Sequence, residues 1–287
     1  MSGRLLIFGL GYSAQRIAQG LRMRGWDVEA TGRDGSIDFS DRGAVLEAAT
    51  RVTHVLSSVP PTEEGDPVLD RYGEAIRGKW LGYLSSTGVY GDAGGAWVDE
   101  SSPVGSGRRS ARVEVDARWL AMGARVFRLP GIYGPGRSIF DRIVEGKAHR
   151  IDLPGQVFSR VHVEDIAGGV TAAIAADVPP GAYNLGDDEP ASQNAVVEHA
   201  SLLLGVPAPP LQSLEEANLS PMARGFYAEN RRVANGKLKR LASWQPRYPT
   251  YREGLAALAA GAVRARKAMT MPAIPSTAPA AASRLQS

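Results

Sequence analysis

Apolar runs along the chain alternate with segments whose apolar residues recur at helical spacing. The run at residues 4–8 (RLLIF) is followed by Ala14, Ile17, Ala18 and Leu21, which are three, four and seven positions apart. The first pattern is typical of a strand buried on both faces, and the second of a helix with one apolar side. Further strands are predicted over 26–31, 37–39, 52–59, 80–86 and 124–130, and helices over 43–49, 68–77 and 109–122. The alternation predicts an α/β fold with a doubly wound parallel sheet, with six strands complete by residue 130.

The second half of the chain is richer in glycine and proline and has short apolar pieces at 161–163, 182–185 and 196–204. We expect residues 1–130 to form the core, with elements from 157–186 completing it. Residues 131–156 and 187–260 are expected to form a smaller, interleaved C-terminal substrate lobe. Residues 261–287 are low in complexity, and we expect a disordered tail there.

Composition narrows the class of protein. Apolar residues make up 44% of the 287 and charged residues 22%, as in ordinary globular domains. The chain has no cysteine, and its four histidines lack ligand spacing, so neither disulfides nor a metal site is expected.

The charge is distributed unevenly along the chain. The isoelectric point of 9.2 comes from the last 27 residues, whose four basic residues and lack of acids leave residues 1–260 at −1 out of a total of +3. A nucleic-acid partner is therefore not expected, because its phosphates need a basic surface. The opening apolar run is too short for a signal peptide or a membrane span, so a cytoplasmic protein without a membrane partner is expected. Monomer and homodimer both stay open.

The segment from Gly9 to Ala14 (GLGYSA) has a GxGxxA pattern between a predicted strand and a predicted helix. Gly9 permits a tight turn, Gly11 lets the backbone approach a pyrophosphate, and Ala14 allows close packing of helix against strand. Tyr12 and Ser13 complete the loop, whose N–H groups at a helix start favour phosphate. The alternative is that these glycines serve only the turn.

The end of the second predicted strand indicates which dinucleotide the loop binds. An NAD site usually has an acid there, whereas this chain reads ATGR. The hydroxyl of Thr31 and the cation of Arg33 suit the 2′-phosphate of NADP. NADP is therefore expected, with NAD as the alternative if Arg33 is an ordinary loop arginine.

Six segments, in order, resemble the extended short-chain dehydrogenase/reductase superfamily, the NAD-dependent epimerase/dehydratase group. They span residues 3 to about 258 and imply a Rossmann fold. The matching pieces are GLGYSA (9–14), SSTGVYGD (85–92), RLPGIYGPGR (128–137), RVHVEDIAGGV (160–170), YNLGDDEPAS (183–192) and WQPRYPTYREGL (244–255).

The resemblance implies roles for individual residues. Asp38 and Phe39 match an element that contacts adenine, and Ser86, with Thr87 beside it, matches the residue that polarises the substrate oxygen. Other matches are the strand end under the cofactor (Ser57, Ser58, Val59, Pro60), the loop flanking the nicotinamide (Pro130 to Ile132), and the wall of the substrate pocket (Arg160, His162).

One feature of the superfamily is missing. Its catalysis relies on a YxxxK pair, in which the lysine lowers the pKa of the tyrosine. None of the nine tyrosines here has a lysine four residues later, and Arg108 and Arg112 occupy the two positions. Arginine is no proton donor near neutral pH. The chain therefore resembles the atypical members that lack the pair.

Two functions follow from these observations. The first is an NAD(P)-dependent oxidoreductase, epimerase or dehydratase-like enzyme acting on a sugar nucleotide or another small carbonyl or hydroxyl compound. In it, Ser86 bonds the reacting oxygen, Tyr90 or His162 supplies the proton, and Arg137 and Arg160 bind an anionic substrate. The second is a non-catalytic NADP(H) sensor or regulatory protein, which the missing pair supports.

Overall fold

The computed structural model describes residues 3–105 and 110–270. Arg108, in the position of the missing tyrosine, lies outside these residues. The strands are β1 (Arg4–Phe8), β2 (Asp27–Ala30), β3 (His54–Ser57), β4 (Trp80–Ser86), β5 (Trp97–Val98), β6 (Arg125–Leu129), β7 (Gly131–Tyr133), β8 (Arg150–Ile151), β9 (Arg160–His162), β10 (Gly181–Asn184), β11 (Leu211–Gln212) and β12 (Arg232–Val233). The helices are α1 (Tyr12–Arg22), α2 (Arg42–Arg51), α3 (Pro67–Tyr72), α4 (Ser110–Ala121), α5 (Ile139–Val144), α6 (Val163–Ala175), α7 (Gln193–Leu204), α8 (Pro221–Phe226), α9 (Gly236–Ala242) and α10 (Tyr251–Thr270).

Six strands form one parallel sheet in the order β10-β6-β4-β3-β1-β2. The order reverses beside β1, because β2 pairs on one side of it and β3 on the other. In sheets of this kind ligands bind outside the carboxyl ends of the strands at such a switch point. The topology confirms the predicted doubly wound fold.

Helices cover both faces of the sheet. Ile17 and Leu21 of α1 pack with Val170 of α6 in a cluster on one face. Val45 of α2 and Trp119 of α4 belong to the cluster on the other face. The central strands are therefore buried on both sides, which explains why the first of them is an unbroken apolar run.

The sheet has six strands, but one differs from the prediction. Residues 37–39 do not form a strand, and Ile37 makes only an isolated bridge to Thr31. The side chain of Asp38 accepts hydrogen bonds from the N–H and O–H of Ser40, and this local turn stops the ladder. The sixth strand is β10, which pairs in parallel with β6.

The described part of the chain ends in a long helix. Helix α10 (Tyr251–Thr270) includes the first ten residues of the expected tail, and residues 271–287 lie outside the described part. Alanine and arginine are good helix formers, and they are frequent in this stretch. No helix between residues 3 and 270, the segment 106–109 aside, has both the length and the apolar character needed to cross a bilayer.

The remaining strands are short parallel pairs beyond the carboxyl edge of the sheet. β7 pairs with β9, β8 with β11, and β5 with β12. Helices α5, α7 and α10 pack together there around Val196 and Tyr251. Segments distant in the sequence thus interleave above the sheet and form one wall of a cleft.

Candidate functional site

A cleft of about 930 Å³ lies at the carboxyl edge of the sheet. Its floor comes from the ends of several strands, since Gly11 follows β1, Ser58 follows β3, Ser86 ends β4 and Pro130 follows β6. Helices α5, α7 and α10 and the loops around residues 219–231 supply the opposite wall. One continuous space therefore joins the predicted phosphate loop to the predicted catalytic serine.

The loop from Gly9 to Ala14 has the features of a phosphate cradle. Gly9 has φ of +82°, a conformation that favours glycine. Gly11 has φ of −83°, and no atom lies within 4 Å of the position that a Cβ would take there. The N–H groups of Tyr12, Ser13 and Ala14 have no acceptor among the described residues, because no side chain caps α1. An open space facing unpaired donors at a helix start fits a pyrophosphate.

Two side chains fix the path of this loop. The hydroxyl of Thr31 accepts a hydrogen bond from the N–H of Gly9 at 3.1 Å, and the hydroxyl of Ser58 donates to the carbonyl of Gly9. Thr31 is only 1% exposed, so its hydroxyl faces the loop and not the cleft. Ser58 and Pro60 line the cleft, whereas the buried Ser57 accepts from the N–H of Val59 at 3.4 Å.

A second hollow of about 500 Å³ lies beyond the end of β2 and is lined by residues 32–39 except Asp34. Arg33 is exposed in it and faces the same space as Asp38 and Phe39. The side chain of Asp34 accepts from Gln15 at 3.0 Å. Hydrogen bonds from Ser40 lower the pKa of Asp38. The hollow therefore offers a cation and an anion side by side.

Ser86 lies at the end of β4 with its side chain on the cleft. Its Oγ accepts a hydrogen bond from the N–H of Gly88 at 3.1 Å, which leaves its own O–H to donate. Thr87 also lines the cleft but is 4% exposed. The preceding Ser85 donates to Asp116 at 2.7 Å, and this bond holds the strand end against α4.

Tyr90 lies behind the cleft wall. Its hydroxyl donates to Asn184 at 2.8 Å and accepts from Arg128 at 3.0 Å. Arg128 is in turn paired with Asp116, 2.7 Å away, at 3% and 2% side-chain exposure. Burial raises the pKa of the Tyr90 hydroxyl, although the charge of Arg128 opposes this effect. Tyr90 is thus part of a buried polar network and is not among the residues that line the cleft.

His162 is also placed away from the cleft lining. Its Nδ1 accepts from the N–H of Glu164 at 3.2 Å and so caps α6. The ring packs against Tyr133 and Tyr248 and is 2% exposed. Burial lowers the pKa of His162 to about 4, so the imidazole is neutral at pH 7.

The two arginines expected to bind substrate occupy different parts of the cleft. The guanidinium of Arg137 lies 5.8 Å from the centre of the Tyr12 ring, beside the phosphate loop. Arg160 is 8% exposed, and its guanidinium donates to two main-chain carbonyls and to Gln193. Arg137 is therefore near the loop from Gly9 to Ala14, while the hydrogen bonds of Arg160 join parts of the cleft wall.

Arg112 lines the cleft from the first turns of α4. Sequence reasoning identified it only as the replacement for the superfamily lysine. The apolar wall of the cleft was not anticipated, because Phe158 comes from a loop and Phe226 from the six-residue helix α8, which is too short for a periodic pattern.

Comparison with known proteins gives relatives over nearly the full length. No family model matches the chain. A 3-diazoavenalumate denitrifying reductase from a Streptomyces species is 27% identical over 88% of this chain and 99% of that protein. The structure of a conserved Silicibacter pomeroyi protein of unknown function is 41% identical, with a TM-score of 0.81 over 90% of this chain and 99% of that one.

A more distant structure bears on the fold. The human epimerase family protein SDR39U1, solved with NADPH, is 17% identical, with a TM-score of 0.73 over 90% of this chain and 99% of that one. At this identity the likeness shows a shared fold.

Proposed function

We propose that the chain is an atypical member of the extended short-chain dehydrogenase/reductase superfamily and acts as an NADP-dependent oxidoreductase, which its motifs and the fold it shares with an epimerase family protein support. Its proposed substrates are small carbonyl or hydroxyl compounds. The observation that carries this proposal is the single cleft that joins the open Gly11 cradle to the Ser86 hydroxyl. The 27% identity to a reductase supports reduction as the reaction.

The residues for holding the dinucleotide follow from their positions. The N–H groups of Tyr12 to Ala14 face its pyrophosphate, and Arg137 beside Tyr12 adds a positive charge there. Arg33 in the second hollow binds the 2′-phosphate, since its guanidinium is exposed and suits phosphate. Asp38 in the same hollow meets the adenosine. NADPH, when bound, supplies the hydride.

Ser86 acts on the substrate oxygen. Because its Oγ already accepts from the N–H of Gly88, the hydroxyl hydrogen points to other acceptors in the cleft. Hydride addition to the carbonyl carbon breaks the C=O π bond and leaves an alkoxide, whose negative charge the Ser86 donor stabilises. Solvent water in the open cleft then supplies the proton that completes the alcohol. Neither Tyr90 nor His162 is used in this proposal, because the first is committed to Asn184 and Arg128 and the second caps a helix.

Substitution of Gly11 tests the cofactor site without disturbing the fold. Its φ of −83° suits any residue and its Cβ position is open, so Gly11→Val is expected to keep the thermal midpoint while filling the cradle. We expect Gly11→Val to lower NADP⁺ affinity at least about a hundredfold in calorimetry. Gly20→Ala, in the same helix but remote from the cradle, is the matched control and should bind as wild type.

The chemistry is tested by NADPH oxidation against a panel of aryl and alkyl carbonyl compounds. Ser86→Ala is expected to lower kcat about a hundredfold, because one donor to the oxygen is lost, with unchanged NADP⁺ affinity. Wild-type activity in Ser86→Ala, or NADP⁺ affinity unaffected by Gly11→Val, contradicts the proposal. Tight binding without turnover of any compound would favour the cofactor-sensing protein.

A further inference from the structure

The charge of the cleft exceeds what a dinucleotide's pyrophosphate requires. Its described lining contains five arginines and two carboxylates, a net charge of +3. The paired phosphates carry about two negative charges, so roughly one positive charge is left for another ligand. The arginine that supplies it can be identified from the hydrogen bonds.

Three of the five arginines already have partners within the protein. Arg142 donates to a main-chain carbonyl at 3.1 Å, and Arg160 donates to two carbonyls and to Gln193. Arg231 pairs with Glu229 at 2.8 Å. These guanidiniums shape the wall of the cleft, and their donors are directed into the protein.

Of the other two, Arg137 lies at the phosphate loop and Arg112 near the catalytic serine. Arg112 makes no hydrogen bond or ion pair with any residue that the structure describes. Asp116, one helical turn further along the same face of α4, bonds Ser85 at 2.7 Å. Arg112 therefore lies on the side of α4 that faces the end of β4, where Ser86 lines the cleft.

The lining of the cleft that holds Arg112 is mainly apolar. It includes the aliphatic or aromatic side chains of Val157, Phe158, Val196, Leu219, Phe226 and Leu255. Two of its acceptor groups are already used, since Gln193 Oε1 accepts from Arg160 and Asp141 accepts from Ser138. A mainly apolar wall of this kind suits a flat apolar body.

We propose that the substrate is an aryl carboxylate whose carboxylate is bound by Arg112. This inference rests on the proposed function, and it specifies the substrate class of the same site. One free guanidinium balances one negative charge and matches a carboxylate in geometry. A sugar nucleotide would bring further phosphates, for which the described lining holds no other uncommitted cation.

Matched ligands that differ only in charge test this class. The probes are 3-phenylpropionate and 3-phenylpropionamide, titrated by calorimetry into the full-length protein with and without saturating NADP⁺. We expect wild type to bind the acid about tenfold more tightly than the amide, and Arg112→Gln to remove that preference. Arg112→Lys should restore part of it, because the charge returns without the planar donors.

The control is Arg142→Gln, which removes a positive charge from the cleft but not a free donor, because the Arg142 guanidinium already donates to the carbonyl of Lys147. This variant should prefer the acid as strongly as wild type does. The inference is overturned if wild type binds the acid and the amide equally or if Arg112→Gln keeps the preference for the acid. Displacement of the acid by stoichiometric UDP-glucose would also overturn it. Failure of NADP⁺ to bind contradicts the proposed function alone, because the cofactor-free titration still tests Arg112.

Discussion

The main-chain N–H of Gly9 donates a hydrogen bond to Oγ1 of Thr31 at 3.1 Å, which ties the first turn of the phosphate loop to the end of β2. Two main-chain hydrogen bonds add to this connection. The N–H of Leu10 donates to the carbonyl of Thr31 at 2.9 Å, and the N–H of Thr31 donates to the carbonyl of Ile7 at 2.8 Å. The loop is thus shaped before any ligand arrives, and the cofactor need not order it.

Removing the Thr31 hydroxyl should therefore disturb the loop. Thr31→Val leaves the partly buried N–H of Gly9 without its acceptor, so we expect the free energy of unfolding to fall by about 1 kcal/mol. Affinity for NADP⁺ and NAD⁺ should fall together, whereas Thr31→Ser should keep both. Urea unfolding and calorimetry measure these effects. A loss confined to NADP⁺ would instead indicate a direct contact between Thr31 and the 2′-phosphate.

Arg33 and Arg137 should affect different parts of the dinucleotide. Arg33→Gln is expected to lower NADP⁺ and 2′-AMP affinity about tenfold and leave NAD⁺ unchanged. Arg137→Gln should weaken NADP⁺, NAD⁺ and ADP-ribose alike and spare 2′-AMP. Arg24→Gln, beyond the far end of α1, serves as the control. If both variants weaken the same fragments, one of the two positions has been misassigned.

The buried pair of Asp116 and Arg128 should be costly to break. Asp116→Asn leaves a cation at 3% exposure without its counter-charge, so we expect a loss of about 3–5 kcal/mol in urea unfolding. Glu74→Gln breaks the exposed pair with Arg77 and should leave the free energy of unfolding almost unchanged, because water screens that pair. Equal small losses would show that water or other groups compensate the buried charge.

Asp187 should make stability depend on pH. Burial raises the pKa of this carboxyl to about 8, although Arg160 opposes the shift. The folded state therefore keeps a proton that the unfolded chain has released above a pKa of about 4. The free energy of unfolding should thus fall as pH rises towards 8, by at most about 1.4 kcal/mol per pH unit.

Comparison of variants between pH 6.5 and 8 isolates this effect. Burial raises the pKa of Asp165 to about 6, below this window, and it lowers the pKa of His162 from 6.5 to about 4. The unfolded chain therefore releases the His162 proton near pH 6.5, which gives a small opposite change that is the same in wild type and variants. In urea denaturation across this window, the free energy of unfolding of Asp187→Asn should no longer fall as pH rises. Asp188→Asn, which changes the exposed neighbouring residue, should still show the fall. A decline that persists in Asp187→Asn would assign it to another group.

Local patterns predicted the elements that carry the phosphate loop. The run 4–8 and the helical spacing after it correspond to β1 and α1, because a buried strand and a one-sided helix each leave a periodic signature. The short β10 shows no such signature beyond residues 182–185, and its place at the edge depends on pairing with β6. Pairing of distant segments leaves no mark in a local window.

The same reasoning explains which site residues were foreseen. The hydroxyl of Tyr90 donates a hydrogen bond to Asn184, which is 94 positions away in the sequence. The sequence around Tyr90 therefore cannot show that this hydroxyl already has a partner. The sequence after His162 did carry a signal, since Glu164 and Asp165, two and three positions later, are acids typical of a first helical turn. A capping role could have been predicted from that pattern.

The packing of α1 against α6 has a consequence for synthesis of the chain. Residues 12–22 leave the ribosome early, but the helix that covers their apolar side spans residues 163–175, and the last sheet strand follows at 181–184. A nascent chain ending at residue 130 would expose Ile17 and Leu21 to water. Helix α1 therefore cannot bury its apolar side until residues 163–175 have been synthesised, and we expect the nascent chain to depend on chaperones until then.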